Sequence, residues 1–199
     1  MTDTLQDAPL RERKSHLWAR DQHDWYVEPR WVSERLFAVE SFEGVIWEPA
    51  CGIGRIVDSA INARVRCVAS DLIDRAAGRF MAPIDFLRCN LPWPDCYGIV
   101  SNPPFKIAEA FVKHALELAP KKVAMLLPAN WVQGDKRSRW LETTPLARVY
   151  FITPRPSMPP GTVVAAGVKP GNGIQDYAWF VWSRGHIGPA DIRWLRRDV

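Results

Sequence analysis

The sequence predicts an α/β fold, a mostly parallel sheet doubly wound by helices and closed into a single domain. Three observations carry this. Short apolar runs alternate with segments of helical period through the first two thirds of the chain, the order that puts parallel strands in one sheet with helices on both faces. The first run, Val45-Ile-Trp47, passes straight into a glycine-containing turn, CGIGR. The 199 residues suffice for one full core, and they contain neither an internal repeat nor a second apolar unit large enough for another.

Residues 1–24 are polar and without period, which predicts a flexible arm ahead of a domain spanning 25–199. Pro29 opens PRWVSERLFAVE, where Trp31/Val32, Arg35/Leu36 and Val39 recur at helical spacing; proline suits a first helical turn. Gly44 breaks the pattern, and Val45–Trp47 is the first strand. Ile56–Ala63 reads as a short helix and Val65–Ala69 as a strand that stops at Ser70-Asp71. A connecting segment leads through Ile84-Asp85-Phe86 to a strand at Gly98–Ser101. Ile107–Leu118 is a helix with Ala108, Phe111, Val112, Ala115 and Leu116 on one face, ended by Pro120. Val123–Leu127 and Arg148–Ile152 are strands, separated by a polar, tryptophan-containing segment at 130–142. Residues 153–176 are rich in Pro and Gly, carry Arg155 and are too long for a plain connector, so they are expected to form a mobile lid on the substrate side. Tyr177–Trp182 is the last strand, and DIRWLRRDV is read as a tail.

No apolar run reaches membrane-spanning length and the N-terminus lacks a signal-peptide pattern, so a cytoplasmic protein with no membrane partner is expected. Cys51, Cys67, Cys89 and Cys96 show no C-x-x-C spacing, and the four histidines are scattered; reduced thiols and no metal site are expected. A net charge of +4 permits a polyanionic partner without demanding one. Basic residues gather at Arg11, Arg13, Lys14 and Arg20, at Lys136, Arg137 and Arg139, and at Arg193, Arg196 and Arg197, with Trp18, Trp131, Trp140 and Trp194 close by. Such clusters suit stacking on bases and pairing with phosphates, although a basic run is also the ordinary composition of a solvated face.

Four segments carry chemistry. In Trp47-Glu-Pro-Ala-Cys-Gly-Ile-Gly54 a strand ends, glycines turn tightly and a helix begins, at the sheet edge where such folds bind ligands. Position 57 is Val where a dinucleotide loop needs its third Gly, and no Walker lysine is present. Glu48 is wrong for cradling phosphate and right for a cationic ligand. Asp71, after the next strand, can accept both hydroxyls of a ribose, or simply cap a helix. Asp85-Phe86 pairs an acceptor with a ring, suited to the amino group and face of an adenine, or to a turn and a core position. The last segment is Ser101-Asn-Pro-Pro-Phe105. Asn102 offers a side-chain acceptor and Pro103 a carbonyl without a competing donor. Two rigidly held acceptors match the two N–H bonds of a planar amine, and Phe105 can stack on the ring that bears it. Holding both hydrogens lets the delocalised lone pair localise and attack an electrophile, which is catalysis by orientation and electrostatics.

In this order EPACGIG, Asp71, Asp85-Phe86 and SNPPF resemble the class I S-adenosylmethionine-dependent methyltransferases, in the amino-methyltransferase branch with an NPPF-type motif. The EPACGIG form and the upstream Trp25-Tyr26-Val-Glu-Pro29 resemble small phage-type DNA adenine-N6 methyltransferases, over about residues 25–182. The resemblance implies a Rossmann-like fold and S-adenosyl-L-methionine as cofactor, without metal. It implies that Glu48, Pro49, Ala50, Cys51, Gly52 and Gly54 line the methionine end, Asp71 binds the ribose, Asp85 and Phe86 meet the adenine, and Tyr26 and Pro29 close the site. Asn102, Pro103, Pro104 and Phe105 then hold the target amine, first of all N6 of adenine in DNA, in a bacterial or phage-infected cell. The chain departs from sequence-specific enzymes of this kind in having no sizeable target-recognition region. Segments 131–142 and 153–176 and the two ends remain to touch nucleic acid, so specificity is low or a protein partner supplies it. RNA bases and the amide of a protein glutamine are the alternative acceptors; residues 1–24 are too short for the added N-terminal domain of the glutamine enzymes. A non-catalytic cofactor- or DNA-binding module is the remaining alternative, and the intact SNPPF argues against it.

Overall fold

The computed structural model describes residues 23–90, 95–118, 121–168 and 171–197; apart from its last two residues, the arm expected at 1–24 lies outside them. The helices are α1 (Arg30–Val39), α2 (Arg55–Asn62), α3 (Ala108–Leu118), α4 (Asp135–Glu142) and α5 (Gly161–Ala165). The strands are β1 (Val45–Glu48), β2 (Cys67–Ala69), β3 (Cys96–Ser101), β4 (Lys122–Pro128), β5 (Leu146–Thr153), β6 (Tyr177–Ser183) and β7 (Asp191–Arg196). They form one sheet in the order β2-β1-β3-β4-β6-β5-β7. β1 runs parallel to β2 and β3, β3 to β4, and β5 to β7. β6 alone runs against its neighbours β4 and β5. The predicted mostly parallel, doubly wound sheet is therefore present, with one reversed strand near its far end.

The period of two sorts the strand residues into two cores. Trp47, Ile99, Met125 and Phe180 face one side, against Phe111 and Val112 of α3. Their chain neighbours Ile46, Val100, Leu126 and Trp179 face the other, against Leu36 of α1 and Ile56 of α2. Central strands buried on both faces read as continuous apolar runs, and VAMLL and YAWFVW are such runs. At the amino edge of the sheet, buried Glu40, which caps α1, accepts hydrogen bonds from Lys122 Nζ at 2.7 Å and Tyr150 Oη at 2.8 Å, and from the Arg148 guanidinium. This network joins α1 to β4 and β5. No described helix is long and apolar enough to cross a membrane.

Three segments differ from the sequence reading. The supposed tail forms edge strand β7, paired along six positions of β5; of its side chains only Leu195 is buried, so it lacked the apolar pattern that marks a strand. The polar 130–142 segment is a 3-10 turn, Ala129–Gln133, followed by α4, whose stretch DKRSRWLE buries only Leu141. The 153–176 segment carries α5 and is stitched to residues 25–27: Tyr26 bridges Pro160, Val27 N donates to Pro159 O at 3.0 Å, and Gly161 N donates to Trp25 O at 2.9 Å. Gly161 is obligatory there, because a Cβ would fall inside the Trp25 indole.

Candidate active site

A cavity of about 270 Å³ opens where β1, β2 and β3 end, the carboxyl edge at which open α/β sheets take ligands. Glu48 closes β1 and is fully buried. Its Oε1 accepts from the Ser101 hydroxyl at 2.6 Å and from Ala50 N at 3.1 Å. Its Oε2 is buried with no partner among the described residues. Burial pushes this carboxyl well above the ordinary range; the Ser101 bond opposes the shift, and the nearby Glu28 and Asp71 carboxylates add to it. A second orphan lines the same cavity: Arg55 Nε, at the start of α2, is buried without an acceptor. An unmet carboxylate oxygen and an unmet guanidinium N–H are each costly to bury. They are the complements of an ammonium and a carboxylate, so the residues present fit the methionine end of the cofactor that the sequence suggests.

The turn between Glu48 and α2 is held open by glycine. Gly52 adopts φ +51°, a left-handed conformation that other residues rarely take, and a Cβ there would meet the Trp25 indole nitrogen at 2.9 Å. Asp71 anchors this turn: its Oδ2 accepts from Gly52 N at 2.8 Å and its Oδ1 from Ile73 N at 2.9 Å. Each oxygen keeps a further lone pair, and Asp71 remains on the cavity wall. Asp85 and Phe86 also reach that wall. Asp85 caps a 3-10 turn through Leu87 N at 3.1 Å. Phe86 is wedged into the core, with its ring 5.2 Å from Trp47 and 4.2 Å from Phe111. Pro49, Ala50, Cys51 and Tyr26 line the cavity as well. Burial raises the Cys51 thiol far above its ordinary value, which favours the neutral thiol over the thiolate.

Three expected site residues lie elsewhere. Pro29 is the N-cap of α1 and Gly54 that of α2, and Pro103 is buried within SNPPF; none lines the cavity. Gly54 is needed for another reason, its φ of +88° and the Phe80 ring that a Cβ would strike.

SNPPF divides this cavity from a second one of about 350 Å³. Asn102 and Pro104 line the first and Phe105 the second, while Asp24, Tyr26 and Lys106 face both. The second cavity is walled by Phe105, Tyr26, Tyr177, Met158 and Ile174, with Asn172 and Gln175 as polar members. Tyr26 stacks on Phe105 at a 6.0 Å centroid distance and 9° interplanar angle, and Tyr177 lies 5.7 Å from Phe105. The 153–176 segment thus supplies much of this wall. Asn102 Nδ2 donates to Tyr26 O at 2.9 Å and to Glu28 Oε2 at 2.8 Å; its Oδ1 has no partner among the described residues. Glu28 is buried, and desolvation pushes its carboxyl up to about 7 despite the Asn102 bond and the Arg55 charge. The sequence reading used Tyr26 and Pro29 from WYVEP but passed over Glu28, Trp25 and, in the glycine turn, Arg55. A carboxylate set between Val27 and Pro29 was the available signal. Among the described residues, no cluster of His, Cys, Asp and Glu could hold a metal ion.

No protein-family model and no curated protein matches the chain. Solved structures do. The 23S rRNA methyltransferase ErmE matches with a TM-score of 0.55 and 16% identity, over 81% of this chain and 70% of that one. The M protein of the type I restriction enzyme EcoKI matches with a TM-score of 0.54 and 14% identity, over 87% and 49%; the chain spans about half its length. Magnesium protoporphyrin IX methyltransferase ChlM from Synechocystis PCC 6803, with S-adenosylmethionine bound, matches with a TM-score of 0.50 and 12% identity, over 77% and 76%. At these identities the likeness is one of fold. The chain has the Rossmann-like fold of the class I methyltransferases.

Proposed function

We propose that the chain transfers a methyl group from S-adenosyl-L-methionine to the exocyclic amino nitrogen of a nucleobase, with N6 of adenine in DNA the first candidate. The observation that carries this reading is the position of SNPPF between two cavities, with Asn102 on the wall of one and Phe105 on the wall of the other. In the first cavity, Glu48 Oε2 takes the ammonium and Arg55 Nε the carboxylate of the methionine end, Asp71 takes the ribose hydroxyls, and Asp85 and Phe86 take the adenine. When bound, the cofactor supplies an electrophilic methyl group on a sulfonium. In the second cavity, Phe105 stacks on the target base, which must leave a duplex to reach it. Asn102 Oδ1 accepts an N–H of the target amine, which helps free the nitrogen lone pair from the ring. Two stacked aromatic residues beside the amide acceptor favour a planar, base-like acceptor over a flexible aliphatic one.

Among the described residues there is no separate recognition domain, so a protein partner, or the wall formed by 153–176, is assigned the choice of sequence. Incubating the chain with labelled cofactor and, in parallel, adenine-containing duplex DNA, single-stranded DNA, RNA and protein is the decisive test. Label in DNA adenine is the expected result. Label in RNA alone would move the reading to an RNA enzyme, label in protein alone would replace the base by a glutamine amide, and no transfer to any acceptor would overturn the enzymatic reading.

A further inference from the structure

We infer that Glu28 is a positioning residue for methyl transfer: its carboxylate fixes and polarises the Asn102 amide so that the side-chain oxygen faces the target amine. This rests on the function proposed above. An asparagine amide has two ends of nearly equal shape, and only the oxygen can accept from an amine. Asn102 has two N–H groups, and both are used, one on Tyr26 O at 2.9 Å and one on Glu28 Oε2 at 2.8 Å. Turning the amide over would set its oxygen against two acceptors and leave no donor for either. The orientation is therefore determined from outside the motif, by residues 74 and 76 positions earlier in the chain.

A backbone carbonyl or a neutral amide could lock the rotamer equally well. The position instead holds a carboxylate only 5% exposed, which is expensive to bury. The charge has a use at that point. As a methyl group arrives, the acceptor nitrogen becomes cationic. A carboxylate accepting from one end of an amide draws electron density to the oxygen at the other end, because linked hydrogen bonds polarise one another in a low-dielectric interior. Glu28 thus makes Asn102 Oδ1 a stronger acceptor as the positive charge develops. The groups that face Glu28 are Asn102 from the SNPPF turn, Arg55 from α2, Glu48 from β1 and the Ser33 hydroxyl from α1. Among these, Glu48 alone opposes the ionised form.

Glu28→Gln keeps an acceptor oxygen without the charge, and Glu28→Leu removes both. In single-turnover transfer from labelled cofactor to adenine-containing DNA, Glu28→Leu is expected to lower the maximal rate by about a hundredfold with KM little changed. Glu28→Gln should lose about tenfold or less. The wild-type rate should fall as pH drops through about 7, and that step should be absent in Glu28→Gln. A readout independent of activity is the NMR signal of the Asn102 side-chain NH2, assigned by its loss in Asn102→Ala. It should shift as Glu28 titrates in the wild type and stay fixed in Glu28→Gln. Equal rates in wild type and a folded Glu28→Leu overturn the inference, as does an Asn102 signal indifferent to Glu28. If Glu28→Leu does not fold, an unaltered pH profile in Glu28→Gln overturns it instead. A wild-type chain inactive on every acceptor sinks the proposed function, while the NMR titration still decides whether Glu28 holds Asn102.

Discussion

At the scale of single residues, the proposed function divides the work between Asn102 and Phe105. Asn102→Ala removes an interaction that strengthens as charge develops, so the transfer rate should drop by about 10²–10³-fold while substrate binding changes little. It should also lower the melting temperature, because buried Glu28 loses a donor, a loss of about 1–3 kcal/mol. Phe105→Ala should weaken capture of the base by about 1–3 kcal/mol, with Phe105→Trp keeping part of the activity; single-turnover rates over a range of DNA concentration separate the two effects. Asp71→Ala should reduce cofactor affinity by about 1.5–3 kcal/mol in calorimetry, and unchanged affinity would remove it from the site. The structure adds that the same change unties Gly52 and Ile73, so stability should fall as well. The places of Glu48, Asp71 and Asn102 at or just after strand ends were legible in the sequence, because apolar runs stop there at polar residues. The partnership of Asn102 with Glu28 was not, since 74 residues separate the two and no local pattern reports a contact at that distance.

At the scale of elements, the strands buried on both faces were read nearly in place, since VAMLL and YAWFVW admit no other environment. β7 and α4 were not, because each is mostly polar and owes its form to a neighbour: β7 to its pairing with β5, and α4 to the 3-10 turn whose Trp131 meets Trp140 edge-on. The long 153–176 segment was taken as a lid on length and composition alone; its tie to residues 25–27 follows from backbone pairing that composition does not encode. That tie gives a specific prediction. Gly161→Ala places a methyl group within the Trp25 indole, and overpacking of this kind costs about 1–3 kcal/mol. Trp25 should be displaced, with a lower melting temperature and a shifted tryptophan fluorescence. Limited proteolysis should then cut within 153–176 sooner than in the wild type.

At the scale of the whole molecule, the Glu40 network and the candidate site occupy opposite edges of the sheet, so stability and activity can be varied apart. Burial alone would raise the Glu40 carboxyl, but hydrogen bonds from Arg148, Lys122 and Tyr150 outweigh it and hold the group below its ordinary value. A carboxyl lowered in the folded state stabilises fully above its unfolded pKa, and that contribution disappears as pH falls through the lower folded value. Glu40→Ala should therefore destabilise the chain by about 3–5 kcal/mol at neutral pH, by leaving Arg148 and Lys122 without their buried partner. The difference from wild type should shrink in acid, as urea denaturation at a series of pH values would show. The shared wall of Asp24, Tyr26 and Lys106 has a consequence of another kind. With both cavities open to the same three side chains, the proposed reaction has donor and acceptor on the chain together, and no residue has to carry the methyl group between them. Double-reciprocal plots of initial velocity against one substrate at several fixed levels of the other should intersect rather than run parallel, and label should not exchange between cofactor and demethylated product when the acceptor is left out.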